Sequence, residues 1–268
     1  MVDGQSPKAC GAALIDMRRV SVMRGARTVL HGIDLRIGVG EHVAILGPNG
    51  CGKSTLIKTV TRECYPLTEA GSSMTILGAE RWDIFELRAV LGIVSNDLMA
   101  ACTRDITGRE VVLSGFFSSI GIWPYHEVTV AMREKADRIL ERLEAAHLGE
   151  RLVSEMSSGE ARRVLIGRAL VHDPKALLLD EPSSSLDVSS QHELRRILRE
   201  LARSGIGLIL VTHHLADIIP EVERVVLMRD GRLVEDGAKA EVLTAAKLGR
   251  LFGVAVTLAR RDGYYHLW

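Results

Sequence analysis

A chain of 268 residues is long enough for one large domain with a real core, and 47% apolar with 25% charged residues is ordinary globular composition. Thirty-four basic residues balance thirty-four acidic ones, which argues against a nucleic-acid binder, whose phosphate contacts leave a basic excess. No apolar run reaches the ~18–20 residues needed to cross a bilayer, and the first dozen residues lack the apolar centre of a signal peptide, so a soluble cytoplasmic chain with a flexible tail over 1–12 is expected. Leu14–Met23, Val29–Ile37 and His42–Leu46 carry β-branched or alternating apolar residues between turn residues and are predicted strands. A helix is predicted from Lys53 to about Arg62, a short strand at Ile76–Leu77 and a buried strand at Val90–Val94.

The pattern then turns helical over Arg109–Glu150, where Ile139, Leu140 and Leu143 share one face between charges. A helical insertion over about 97–160 is expected. The α/β rhythm returns with a helix at Ala161–Val171, a buried strand at Ala176–Leu179, a helix at Gln191–Arg203 and a strand at Ile206–Thr212. Such alternation implies a largely parallel sheet with helices on its faces. Asp230-Gly231 and Asp262-Gly263 are two-residue hairpin signals, the second within an extension over 249–268. No internal repeat is present, so the domain, 13–248, occurs once. Cys10, Cys51, Cys64 and Cys102 are widely spaced without a CxxC pair and read as free thiols.

Between the third predicted strand and the first predicted helix stands GPNGCGKST, which fits G-x-x-x-x-G-K-[ST] in the context that a phosphate loop requires. Gly47, Pro48, Asn49, Gly50, Cys51, Gly52, Lys53, Ser54 and Thr55 are therefore candidate nucleotide-binding residues. The glycines let backbone amides turn inward at phosphate oxygens, and the helix start adds its positive end. Lys53 supplies charge to the β- and γ-phosphates, and the Ser54 hydroxyl is a candidate Mg²⁺ ligand. Cys51 at a helix N-terminus is expected to have a lowered thiol pKa, so that alkylation blocks hydrolysis and ATP protects. Downstream, ALLLDEP places Asp180 and Glu181 at the carboxyl end of an apolar strand, the end that faces the ligand crevice in open α/β sheets. Asp180 is a candidate Mg²⁺ ligand through water, and Glu181 the candidate that orients or deprotonates the attacking water. Taken alone, the same pair would also suit a solvated turn.

Met156-Ser157-Ser158-Gly159-Glu160 resembles the signature of ATP-binding cassette proteins, and MSSGEARRVLIGRALVHDPKALLLDEPSSSLD is similar to that family almost position by position. The resemblance runs from about Leu14 to Gly237. Other phosphate-loop classes lack the signature, and no N-K-x-D guanine-reading motif is present. The resemblance implies an α/β phosphate-loop ATPase of cassette type: a mixed, largely parallel sheet core, an N-terminal antiparallel β subdomain and an inserted α-helical subdomain. By the residues themselves, Ser157 with Glu160 three positions on is a capping box that opens a helix. By the resemblance, Ser157, Ser158, Gly159 and Glu160 meet the γ-phosphate held by a second cassette, Asp187 belongs to the loop linking the two sites, and His213 is the switch histidine, with His214 its rival. ATP and Mg²⁺ are the implied ligands, and integral-membrane subunits at the inner face of the cell membrane are implied partners.

The chain departs from the family in several places. Asn96 stands where a glutamine ends the strand before the insertion, and is the third candidate metal contact. Arg24 stands where an aromatic stacks on adenine; a guanidinium plane can stack on a base, and a solvated surface arginine is the other reading. Ser158 and Glu160 replace the usual glycine and glutamine, and with VVLSGFFSSIG at Val111–Gly121 they look like ATPases assigned to molybdenum transport. Phe116, Phe117, Trp123 and Tyr125 crowd one short stretch, either packing the insertion or forming a socket for a helix of a membrane subunit. The expected function is the ATPase of a transporter whose membrane subunits are separate chains, driven by ATP-dependent closure of two cassettes head to tail. The other class is a soluble cassette that remodels a macromolecular assembly, with the Gly-Glu of the signature similar to iron–sulfur assembly ATPases; a third reading is a cassette that binds ATP without turnover.

Overall fold

A computed structural model describes residues 12–102 and 105–268, with only the backbone described for 99–101. The tail expected over 1–12 thus lies, apart from Ala12, outside the described residues. The first half contains β1 (Ala13–Arg24), β2 (Arg27–Gly38), β3 (His42–Leu46), α1 (Lys53–Val60), β4 (Ser73–Ile76), α2 (Ile84–Val90), β5 (Leu91–Val94), α3 (Asn96–Ala101), α4 (Gly108–Ser114) and α5 (Val130–Arg142). The second half contains α6 (Ser158–Leu170), β6 (Ala176–Asp180), α7 (Val188–Arg203), β7 (Gly207–Thr212), β8 (Arg224–Arg229), β9 (Arg232–Ala238), α8 (Lys239–Val242), α9 (Ala245–Phe252), β10 (Leu258–Arg261) and β11 (Tyr264–Leu267).

A six-stranded sheet in the order β5-β6-β7-β3-β8-β9 forms the centre, parallel throughout except for the antiparallel pair β8 and β9. Its strands read as unbroken apolar runs because both faces are covered. Alternation still sorts the side chains. Ala44, Leu46, Leu177, Leu179, Leu208, Leu210, Val225 and Leu227 enter one core with the helices α4 to α7. Val43, Ile45, Leu178, Ile209, Val211, Val226 and Met228 enter the other, shared with α1 and the strands β1 and β2. Each of these leucines and isoleucines is 2% exposed or less, and burying one contributes about 1.5–3 kcal/mol. A separate antiparallel sheet, β2-β1-β4, covers that second face. The α/β class, the antiparallel N-terminal layer and the helical insertion are all present.

Several predicted elements need correction. The short strand expected at Ile76–Leu77 is β4, which ends at Ile76, and the extension over 249–268 begins inside α9 before its hairpin. Val90 does not begin a strand but ends α2, and β5 starts at Leu91. The helical run expected over Arg109–Glu150 is broken: after a 3-10 turn at Gly115–Phe117, the chain up to Thr129 is not helical. Ser118 and Gly121 have φ of 51° and 76°, and Pro124 lacks the amide a helix needs. Helix α5 restarts at the Thr129 cap, whose hydroxyl accepts from the Met132 amide. Both Asp-Gly pairs close hairpins, β8 to β9 and β10 to β11, with φ of 49° and 72° at Asp230 and Gly231, the conformation that suits a two-residue turn.

Candidate functional site

The loop from Gly47 to Gly52 leaves the carboxyl end of β3 and feeds α1. Its glycines are required where they stand. Gly50 and Gly52 have φ of 78° and 108°, and a Cβ on Gly47 would lie 2.3 Å from the Met228 carbonyl oxygen. No side chain caps α1, so its first-turn amides are left for an anion. Lys53 is buried at 5% exposure. Its Nζ donates to the carbonyls of Gly47, at 2.8 Å, and Pro48, at 3.1 Å, and stands 3.7 Å from Glu181 Oε1.

Glu181 follows Asp180 at the end of β6, and its amide still donates to the Val211 carbonyl of β7 at 2.7 Å. Its φ of 46° then turns the chain out of the sheet, a left-handed conformation that non-glycine residues adopt at a cost of about 1–3 kcal/mol. His213, just past β7, places Nδ1 2.8 Å from Glu181 Oε1, and the Ser184 hydroxyl donates to Oε2 at 3.0 Å. Burial pushes the Glu181 carboxyl upward, but the bonds from His213 and Ser184 and the charge of Lys53 outweigh it and hold the group below the ordinary range. Asp180 goes the other way: burial first, and then the Glu181 charge, push it up to about 6. Among the two histidines, His213 reaches the carboxylate, while the His214 ring lies against it at 3.7 Å between centroids.

Ser54 and Asp180 line a common cleft of about 390 Å³, together with Lys58, Ser95 and Asp97. Lys58 pairs with Asp97 at 3.3 Å, and the hydroxyl and carboxylate oxygens of Ser54 and Asp180 suit a hard cation such as Mg²⁺. Among the described residues no group of three or more His, Cys, Asp or Glu side chains could hold a metal alone, so phosphate and water oxygens would complete its shell. Asn96 does not offer the oxygen expected of it. It opens α3, and its Oδ1 accepts from Arg162 Nη2 at 2.6 Å. The reactive-thiol expectation also fails at Cys51. The side chain is 4% exposed, and its burial raises the thiol pKa against the smaller lowering by Lys53.

The signature turn forms the capping box read from the sequence. Ser157 Oγ accepts from the Glu160 amide at 3.2 Å and Glu160 Oε2 from the Ser157 amide at 2.8 Å, while Glu160 Oε1 pairs with Arg151 at 2.8 Å. These backbone and arginine contacts hold Glu160 below the ordinary carboxylate range. Ser157 and Ser158 are exposed. The Ser158 hydroxyl donates to the Ser185 carbonyl at 3.0 Å, and a Cβ on Gly159 would meet Ser190 Oγ at 2.5 Å. Asp187 caps α7, accepting from the amide and hydroxyl of Ser190 at 2.8 and 3.1 Å. The Ser157–Glu160 turn and the segment Ser185–Ser190 thus adjoin within the chain. Arg24 is exposed at the tip of the β1–β2 hairpin, opposite Arg27.

Ser184 and Arg162 were not singled out from the sequence. Ser184 hides in a serine run. Arg162 looks like a surface charge, yet α6 buries Ala161 through Leu170 almost continuously, save Arg163, and a helix apolar nearly all round must bury its arginines too.

The ABC transporter family profile matches residues 30–184. Two hemin import ATP-binding proteins, from Aliivibrio fischeri and Hahella chejuensis, are 32% and 35% identical. The first match covers 89% of this chain and 90% of the relative, the second 88% and 91%. The solved structure of cbiO1 from Clostridium perfringens, part of the ABC transporter complex cbiONQ, superposes with a TM-score of 0.74 at 28% identity, over 89% of this chain and 94% of that one.

Proposed function

The chain belongs to the ABC transporter family of ATP-binding subunits, and from that premise we propose that it energises import as a head-to-tail pair of cassettes, with Glu181 and His213 acting on ATP bound at Gly47–Thr55. That it is an ATP-binding and ATP-hydrolysing transporter subunit follows from the family itself. The finer reading is carried by one observation: Lys53, at the start of α1, and His213, just past β7, converge on a single carboxylate oxygen of Glu181, just past β6.

In this reading Lys53 exchanges the carbonyls of Gly47 and Pro48 for phosphate oxygens, and the loop and α1 amides hold the rest of the triphosphate. Glu181 orients the attacking water and accepts its proton. Its depressed pKa makes it a weak base while Lys53 faces it; movement of Lys53 toward phosphate removes part of that depression. His213 keeps Glu181 Oε1 in place and reaches the γ-phosphate. Ser54 and Asp180 would hold Mg²⁺, which would supply positive charge to screen the phosphates. The exposed Ser157–Glu160 turn serves the triphosphate of a second cassette, and Asp187 lies between the two sites.

Among the described residues no helix is long and apolar enough to cross a membrane, so the proposed attachment is through separate membrane subunits. Phe116, Phe117 and Trp123 are half-buried and Tyr125 is 76% exposed, which leaves the socket reading of this stretch open to such a partner. The import relatives favour transport over remodelling of a soluble assembly. We propose that cargo is chosen by those other subunits; copurification from detergent extracts should recover a multi-spanning partner.

The decisive variant is Glu181→Gln. We expect turnover to fall by about 100-fold or more with ATP binding retained, and light scattering to show an ATP-dependent dimer. Wild-type turnover in that variant would remove Glu181 from the mechanism.

A further inference from the structure

Arg162 lies two positions beyond the capping box, on the helix that the signature opens, and is 2% exposed. Of its guanidinium nitrogens, Nη2 donates to Asn96 Oδ1 at 2.6 Å. Nε and Nη1 have no hydrogen-bond partner among the described residues. The compensating charges are those of Asp180 and Asp217, so a cation is kept dry beside the proposed metal site with one neutral acceptor as its hydrogen-bonded partner. An unspent buried donor costs free energy, and its retention points to a task.

Chemistry fixes which end of Asn96 is engaged. A guanidinium has five donors and no acceptor, so the atom it meets must be the carboxamide oxygen, whichever way the amide is drawn. An oxygen held by a buried cation is a poor ligand for a second, doubly charged cation, because the two charges repel in a medium that screens weakly. The end of Asn96 left for a ligand is Nδ2, a donor.

We propose that Arg162 is a positioning residue that turns the Asn96 oxygen toward α6, so that this loop meets the nucleotide as a hydrogen-bond donor to a phosphate or water oxygen and not as a metal ligand. The inference rests on the nucleotide reading above. It also gives α6 a direct hold on the loop: movement of the signature end of the helix is passed to Asn96 through one charge-assisted bond.

The test uses the whole chain with Mn²⁺ and a non-hydrolysable ATP analogue, reading free Mn²⁺ by electron paramagnetic resonance, alongside steady-state turnover. Asn96→Ala should leave Mn²⁺ affinity within about twofold of wild type, since no metal ligand is lost, and should lower kcat about tenfold or more, since a transition-state donor is lost. Arg162→Met should lower kcat to a similar degree, and the double variant should be no worse than either single one, because the two act as a unit. Arg162→Met should also tighten Mn²⁺ by about threefold or more, as the oxygen is released and a nearby positive charge removed; a purely structural role would not tighten it. Weakening of Mn²⁺ by about tenfold in Asn96→Ala, unchanged kcat in that variant, or multiplicative losses in the pair would each overturn the proposal. Should Arg162→Met fail to fold, Asn96→Ala decides alone, because its side chain is exposed. If wild-type protein binds no metal–nucleotide, the fault lies in the nucleotide reading itself.

Discussion

At the phosphate-loop corner, Lys53 at the start of α1 and His213 just past β7 reach Glu181 just past β6, at 3.7 and 2.8 Å, from positions far apart in sequence. At Ser157–Glu160, the turn is closed by its own capping box, with help from Arg151 and Ser185, and its two serines remain exposed. The first region is complete within one chain: its lysine is buried, its glutamate pinned by two side chains and its loop seated on the Met228 backbone. The second is held locally, by contacts within the chain that leave its two serines at the surface. A site built by long-range packing and a site built by local capping respond differently to substitution: the first leaves the α1 amides for an anion inside a buried corner, the second presents two exposed serines on the surface.

The sharpest way to break this contrast is to disable one region in each of two protomers. Lys53→Ala should lose nucleotide affinity and nearly all turnover, by about 100-fold or more. Ser158→Arg should fold and bind ATP, since Ser158 is exposed, yet fail in turnover. Mixed, they should recover on the order of a quarter of wild-type activity, because half of randomly paired dimers carry one intact phosphate loop facing one intact signature. No recovery would show that the two regions serve the same chain.

A smaller effect separates the buried corner from the exposed turn by pH. Asp180 is pushed up to about 6, above the ~3.9 of an unfolded aspartate. The folded chain therefore holds that proton more tightly, and its contribution to stability, full below the unfolded value, is lost as pH rises through about 6. Asp180→Asn carries no charge. In EDTA at pH 7.5 it should stabilise the protein to urea by about 1–2 kcal/mol, a figure kept below the full shift because the carboxylate is only partly buried. Ser157 at the exposed turn has no comparable term, and Ser157→Ala should instead destabilise through loss of its cap, by about 0.5–2 kcal/mol. Equal responses of the two variants would dissolve the distinction.

The least effect is expected at Cys51. Its burial and raised pKa predict that iodoacetamide at pH 7 modifies half-exposed Cys64 before Cys51, with hydrolysis retained until Cys51 reacts. Peptide mass spectrometry resolves the order, and prior reaction at Cys51 would show that the loop opens readily.

Much of this was legible in the residues. The phosphate loop, the acidic pair and the capping box carry their chemistry in short spacings, and strands buried on both faces announce themselves as apolar runs. Which of the two histidine rings reaches Glu181 is a relation across 32 positions, invisible in the local run. Cys51 misled because a helix N-terminus is visible in sequence whereas the burial that outweighs it is not. Asn96 misled for the same reason, since its oxygen is claimed by Arg162 from 66 positions away.

By itself, the sequence determined that a glycine loop suited to phosphate stands at a strand–helix junction, and which helix the Ser157 capping box opens, because both depend on backbone conformations dictated by neighbouring residues. Tertiary structure alone decided how protons and charges are distributed there: Asp180 raised, Glu181 lowered, the Cys51 thiol silenced, the Asn96 oxygen taken. Those properties arise from burial and from partners joined across the sheet, and neither desolvation nor long-range pairing is written in any local run of residues.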